Sequence, residues 1–120
     1  MENKNIIIDK SYGFAIKSIG LYKNLSTVKK EYVLSKQLLR SGTSIGANIR
    51  EAHNAQSKAD FVHKLAISQK ECDESLYWLE LLHETDYLDQ IKFKELHNDG
   101  TEILRILRSI ILTTKQKMGK

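Results

Sequence analysis

From Leu34 to Ala52 the chain places an apolar or small residue on every successive helical turn, at Leu34, Leu38, Ser41, Ile45, Ile49 and Ala52. The spacing runs unshifted through Ser41-Gly42-Thr43-Ser44-Ile45-Gly46, although each interior glycine costs a helix up to about 1 kcal/mol relative to alanine. A break there would throw the residues after it off the stripe, so the periodicity predicts one helix ending near His53. A stripe built from serine, glycine and alanine suits a neighbouring backbone at short range. Beyond the turn His53 to Gln56, Ser57-Lys58-Ala59-Asp60 is a helix start, with the Ser57 hydroxyl placed to accept the third amide hydrogen and Asp60 to reach back. The third helix then runs from about Lys58 to Glu84. Its core face is Phe61, Leu65, Ser68, Cys72, Leu76, Leu79 and Leu82, and Val62, Ala66, Tyr77, Trp78 and Leu81 widen it.

The remaining elements follow the same rule of three and four. A first helix is expected from about Lys10 to Thr27, preceded by a separate segment 1–9. It carries two stripes, Tyr12, Ala15, Ile16 and Ile19 on one and Phe14, Leu21, Leu25 and Val28 on the other. Two stripes need two partners: the core, and either a second subunit or the segment holding Ile6, Ile7 and Ile8. Gly13 and Gly20 are read as close-packing positions, and Ser26 or Thr27 as the cap of the second helix. A fourth helix is expected from Asp89 to Lys117, with Ile91, Leu96, Ile103, Leu107, Ile110 and Ile111 inward. Asn98-Asp99-Gly100 marks where it would kink or split, and 115–120 is a basic tail. Four amphipathic helices on short connections predict an all-α, up-down-up-down four-helix bundle forming a single domain over 1–120.

Composition narrows the function classes. No apolar run approaches the roughly 18 residues of a membrane span, and the first residues lack the pattern of a secretory signal, so a cytoplasmic protein with no membrane partner is expected. A lone cysteine, Cys72, agrees with a reducing compartment and on the apolar face reads as an inert thiol. It has no cysteine partner for zinc, and His53, His63, His83 and His97 are scattered. Only one Glu-x-x-His pair, Glu80 and His83, is present where a di-iron bundle uses two. No phosphate loop, nucleophile elbow or triad is legible. No enzyme activity, no metal and no cofactor are therefore expected. Gln37, Ser44, Asn48 and Glu51 beside Arg40 read as a structural polar row.

What remains is a surface for partners. The net charge is +4, distributed over successive quarters as +4, +1, −5 and +4. Lys36 and Arg40 lie one turn apart, as do Arg105 and Arg108, and Lys115 and Lys117 continue toward the C-terminus. Such a strip contacts phosphates and carries no base-reading motif. The surplus apolar positions, Phe14 and Leu21 in the first helix and Tyr77, Trp78 and Leu81 in the third, are the expected interface of a homo-oligomer, a dimer or a closed ring. Asp73, Glu74 and Glu80 are expected to meet basic residues of the first or fourth helix in the next subunit. A scaffold that binds only protein is the alternative.

The stretches SKQLLRSGTSIGANIREA and SKADFVHKLAISQKECDESLYWLELL resemble the four-helix-bundle proteins encoded in intervening sequences of bacterial 23S ribosomal RNA genes. Ser44, Ala47, Asn48, Glu51, Ser57, Asp60, Phe61, Glu71 and Trp78 match that family's motif, and the terminal helices match it in pattern. The family is related to the accessory variability protein of diversity-generating retroelements. That resemblance implies a ring-shaped homopentamer, association with structured RNA or a reverse transcriptase complex, and no established enzyme activity.

Overall fold

The computed structural model describes residues 2–119, which form the helices α1 (Glu2–Thr27), α2 (Leu34–His53), α3 (Lys58–Glu84) and α4 (Gln90–Met118). Each helix packs on two others, α1 on α2, α2 on α3, α3 on α4 and α4 on α1, while among the described residues the Cα atoms of the diagonal pairs stay more than 8 Å apart. The result is an up-down-up-down bundle of about 52 × 22 × 20 Å.

Two of the starts obey local chemistry. Ser57 stands in extended backbone and its hydroxyl accepts the Asp60 amide hydrogen at 3.0 Å. Asp89 does the same for Lys92 at 2.7 Å. The start of α2 differs from the expectation. Ser26 and Thr27 do not cap it; their hydroxyls donate back to the Tyr22 and Lys23 carbonyls at 2.7 and 2.6 Å. Glu31 caps α2 instead, accepting the amide hydrogens of Val33, Leu34 and Ser35 at 3.1, 2.9 and 2.7 Å. The chain reaches that position by a left-handed turn at Lys30 (φ 57°), closed by the Glu31 amide on the Leu25 carbonyl at 2.9 Å. Asp86 (φ 70°) plays the equivalent part after α3 and folds Leu88 back into the core.

α2 continues unbroken through its two glycines, and the reason lies in its neighbours. A Cβ on Gly42 would stand 2.3 Å from Ser18 Oγ and 2.9 Å from Ser18 Cβ of α1. One on Gly46 would meet Ser11 Oγ at 3.3 Å. On its other side α2 holds α3 through Ser75 Oγ donating to Ser41 Oγ at 2.8 Å and Ser68 Oγ donating to the Ile45 carbonyl at 2.9 Å. Among the described residues every buried side-chain nitrogen and oxygen has a partner.

Five expectations are corrected here. α1 begins at Glu2 rather than Lys10, because the core stripe of the helix is Ile7, Ser11, Phe14, Ser18, Leu21 and Leu25, in alternating steps of four and three that start inside the supposed leader segment. Gly13 and Gly20 are not close-packing positions: nothing lies within 4 Å of a Cβ built on either. Asn98-Asp99-Gly100 does not split α4; Gly100 is buried, with a Cβ there falling 2.8 Å from Leu76 Cδ2, and its carbonyl accepts the Cys72 thiol at 3.2 Å. Ile91, expected inward, is 82% exposed, since it precedes the first turn that reaches α3. Lys115 and Lys117, expected in a basic tail, are part of α4. Met1 and Lys120, the outermost residues of the two end segments, lie outside the described residues.

Gly42→Ala is expected to cost about 1–3 kcal/mol in urea denaturation by forcing α1 from α2, whereas Gly20→Ala stabilises by up to about 1 kcal/mol. Equal effects would refute the close approach. Glu31 also links stability to pH. Burial pushes its carboxyl up, but the amide hydrogens of Leu34, Ser35 and Val33 outweigh this and hold it below its ordinary value of 4.5. Its stabilisation is complete above that value and disappears as pH falls through the depressed pKa. Glu31→Gln should therefore cost about 1–2 kcal/mol at neutral pH and less in acid, measured by denaturation at both.

Candidate nucleic-acid and assembly surfaces

Several cations on the bundle are matched within the chain. Lys10 pairs with Glu102 at 3.0 Å, and Lys17 with Glu95 and Asp99 at 2.9 and 2.7 Å, which ties α1 to α4. The hydrogen bonds to Asp99 and Glu95 raise Lys17 above its ordinary pKa, and Lys17 in turn holds Glu95 below its own. Lys64 reaches Glu51 at 2.9 Å. Two of the three acidic groups expected to meet a second subunit have partners within the chain, Glu80 with His97 at 2.9 Å and Glu74 with Arg40, while Asp73 is exposed.

Arg40, expected as a phosphate contact, is engaged within the chain. Its guanidinium is held between Glu71, at 3.1 Å, and Glu74, which also accepts the Trp78 indole hydrogen at 3.0 Å. Those carboxylates belong to α3, and the one-turn spacing from Lys36 gave no sign of them. Lys36 itself is exposed, with no ion pair among the described residues.

α4 is different. From Ile103 to Gly119 it has no acidic residue, and Arg105, Arg108, Lys115 and Lys117 are all exposed. The Arg105 side chain is 73% exposed, with Glu102 only at 4.0 Å. Steps of three and seven keep Arg105, Arg108 and Lys115 on one stripe, with exposed Leu112 between them. Lys117 falls about 120° around the helix from Arg105 and faces the turn between α2 and α3. The expected strip is therefore three residues with Lys117 set apart.

The apolar surfaces are also sorted. Phe14 is 1% exposed and Leu21 is buried, so both belong to the core and neither is offered to a partner. The other stripe of α1 is the open one: Tyr12 is 60% and Ile16 55% exposed, and Ile19 is exposed too. Tyr12 and Ile19 edge a groove of about 790 Å³ floored by Gly46 and Ala47 of α2. Sequence reading assigned these stripes the wrong way round because Ser11 and Ser18 hide the four-three repeat. The run Ile7, Phe14, Leu21 at sevens was the available signal. At the other end Tyr77 is exposed, Trp78 and Leu81 are half-buried, and the two aromatic rings meet edge-on at 5.1 Å.

These features have the context of known relatives. The family model for the 23S rRNA-intervening sequence protein matches residues 3–109. The chain belongs to that family. A crystal structure of a protein with unknown function from the S23 ribosomal protein family of Bacteroides thetaiotaomicron is 54% identical and superposes with a TM-score of 0.90, covering 91% of this chain and 97% of that one. No curated protein matches the chain. In this intervening-sequence family member the matched span takes in Arg105 and Arg108 and ends before Lys115.

The intervening-sequence bundle brings no reactive group forward. Burial pushes the Cys72 thiol up to about 12, with Asp73 adding to the effect. Glu80 faces His97 while His83 stacks on Phe93 with ring centroids 4.3 Å apart, so the Glu80 and His83 pair diverges. Among the described residues no three His, Cys, Asp or Glu side chains are gathered as metal ligands, and no helix is long and apolar enough to cross a membrane. Native Cys72 should react with Ellman's reagent at pH 8 on the order of a thousandfold more slowly than the urea-unfolded chain. Comparable rates would mean that the α3 to α4 seam opens.

Proposed function

We propose that this protein is a non-enzymatic, self-assembling cytoplasmic bundle that docks on structured RNA through the outer stripe of α4. The observation that carries this reading is the acid-free stretch of α4, whose Arg105, Arg108 and Lys115 are exposed while five other basic residues are engaged by carboxylates. A stripe of cations without base-reading neighbours recognises backbone charge and shape. The name of the family, drawn from an intervening sequence of 23S rRNA, makes a structured ribosomal RNA segment the first RNA to try; a retroelement RNA with its reverse transcriptase is the second. Fluorescence anisotropy with a folded RNA should show salt-dependent binding, and Arg105→Glu with Arg108→Glu should weaken it at least about tenfold and lower the salt slope by roughly two. No binding of the native chain at low salt would overturn this reading and favour the protein-only scaffold.

Self-assembly rests on the open stripe Tyr12, Ile16 and Ile19 and on Tyr77, Trp78 and Leu81, an apolar area that a lone bundle has no use for. Identical chains close into a dimer or a ring, and the family resemblance favours a ring of five. Light scattering at micromolar concentration should report an oligomer that Ile16→Glu and Trp78→Glu each weaken. A monomer under those conditions would remove the assembly reading and leave RNA docking to be judged separately.

A further inference from the structure

The end of the bundle where α4 meets the turn between α2 and α3 holds a cleft of about 600 Å³, within the range of small-molecule sites. Its lining is one-sided in charge. His53, Lys58 and Lys117 line it, and no aspartate or glutamate does. The polar groups are also unspent. Among the described residues, His53, Lys58 and Lys117 make no ion pair, and the Gln56 amide and the Ser109 and Thr113 hydroxyls have no hydrogen-bond partner. Nearby hydroxyls are already used, Ser57 as the cap of α3 and Thr114 on the Ile110 carbonyl at 2.8 Å. Six donor-bearing side chains without a carboxylate among them match an anion with several acceptor oxygens. Phe61 and Ile110 complete the wall with apolar surface, which an inorganic ion would leave unused and a flat organic body would cover.

We infer that this cleft binds a nucleoside monophosphate group, the phosphate among Lys58, Lys117 and Ser109 and the base toward Phe61 and Ile110. It does not rest on RNA docking by α4, because Arg105, Arg108 and Lys115 lie on a different side of that helix. The phosphate has two sources, a free nucleotide or the 5′ end of an RNA chain. The cleft also gives a place to Lys117 that the α4 stripe does not.

The test is an NMR titration of the full-length protein with adenosine monophosphate and, separately, adenosine. Saturable shifts at Gln56 to Lys58 and Ser109 to Lys117 are expected, with adenosine at least about tenfold weaker. Lys58→Gln with Lys117→Gln should lose that phosphate preference while circular dichroism stays native, and Arg105→Glu with Arg108→Glu should leave it intact. A 5′-phosphorylated oligoribonucleotide that competes with the nucleotide, where its 5′-hydroxyl form does not, assigns the ligand to an RNA end; competition by neither assigns it to the free nucleotide. No saturable shift at those residues by about 10 mM, equal binding of adenosine, or an unchanged Lys58 and Lys117 double variant would each overturn the proposal, whatever RNA does at α4.

Discussion

Ser18 of α1 sits against Gly42 of α2 so closely that a methyl group on the glycine would overlap its hydroxyl, and much of the bundle follows from that contact. The serine tolerates burial because its hydroxyl donates to the Phe14 carbonyl one turn back at 2.9 Å, asking nothing of α2. One turn along, Gly46 receives Ser11 in the same way. With α1 held at that distance, Ile7, Phe14, Leu21 and Leu25 reach the core and the opposite stripe of α1 is turned to the outside. Ser41 and Ile45 then join α2 to α3 through hydroxyl hydrogen bonds, so α2 is held closely on both flanks. The seam between α1 and α4 lacks such small-residue contacts. Gly13 leaves a gap of about 180 Å³ there, and ion pairs from Lys10 and Lys17 bridge its rim.

Those ion pairs matter less for stability than for what they leave over. Exposed pairs typically contribute under about 1 kcal/mol each, so the bundle would tolerate the loss of any one. Their effect is to engage Lys10, Lys17, Arg40 and Lys64 locally. The acid-free second half of α4 then presents Arg105, Arg108 and Lys115 as a local run of positive charge. Part of the exposed apolar surface lies on the α1 stripe and part on the aromatic pair at the end of α3. Neither lies on the cationic stripe of α4.

Helix number, helix type and the cap at Ser57 were legible in the chain, because each depends on residues within a turn of one another. The persistence of α2 through SGTSIG was legible for a related reason, since periodicity reports a whole face rather than a local preference. Three things were not. The cap of α2 comes from Glu31, placed by a left-handed lysine that no propensity anticipates. Arg40 lost its availability to carboxylates more than thirty positions away on α3. The inward stripe of α1 depended on which face could lie flush on two glycines, and serines that look polar in a list of residues are the ones small enough to do so. Sequence by itself determined where helices form, since hydrogen bonds and caps there are local. Tertiary packing alone decided which faces are buried and which charges stay free, because those depend on the distance between helices, and that distance is set by atoms far apart in the chain.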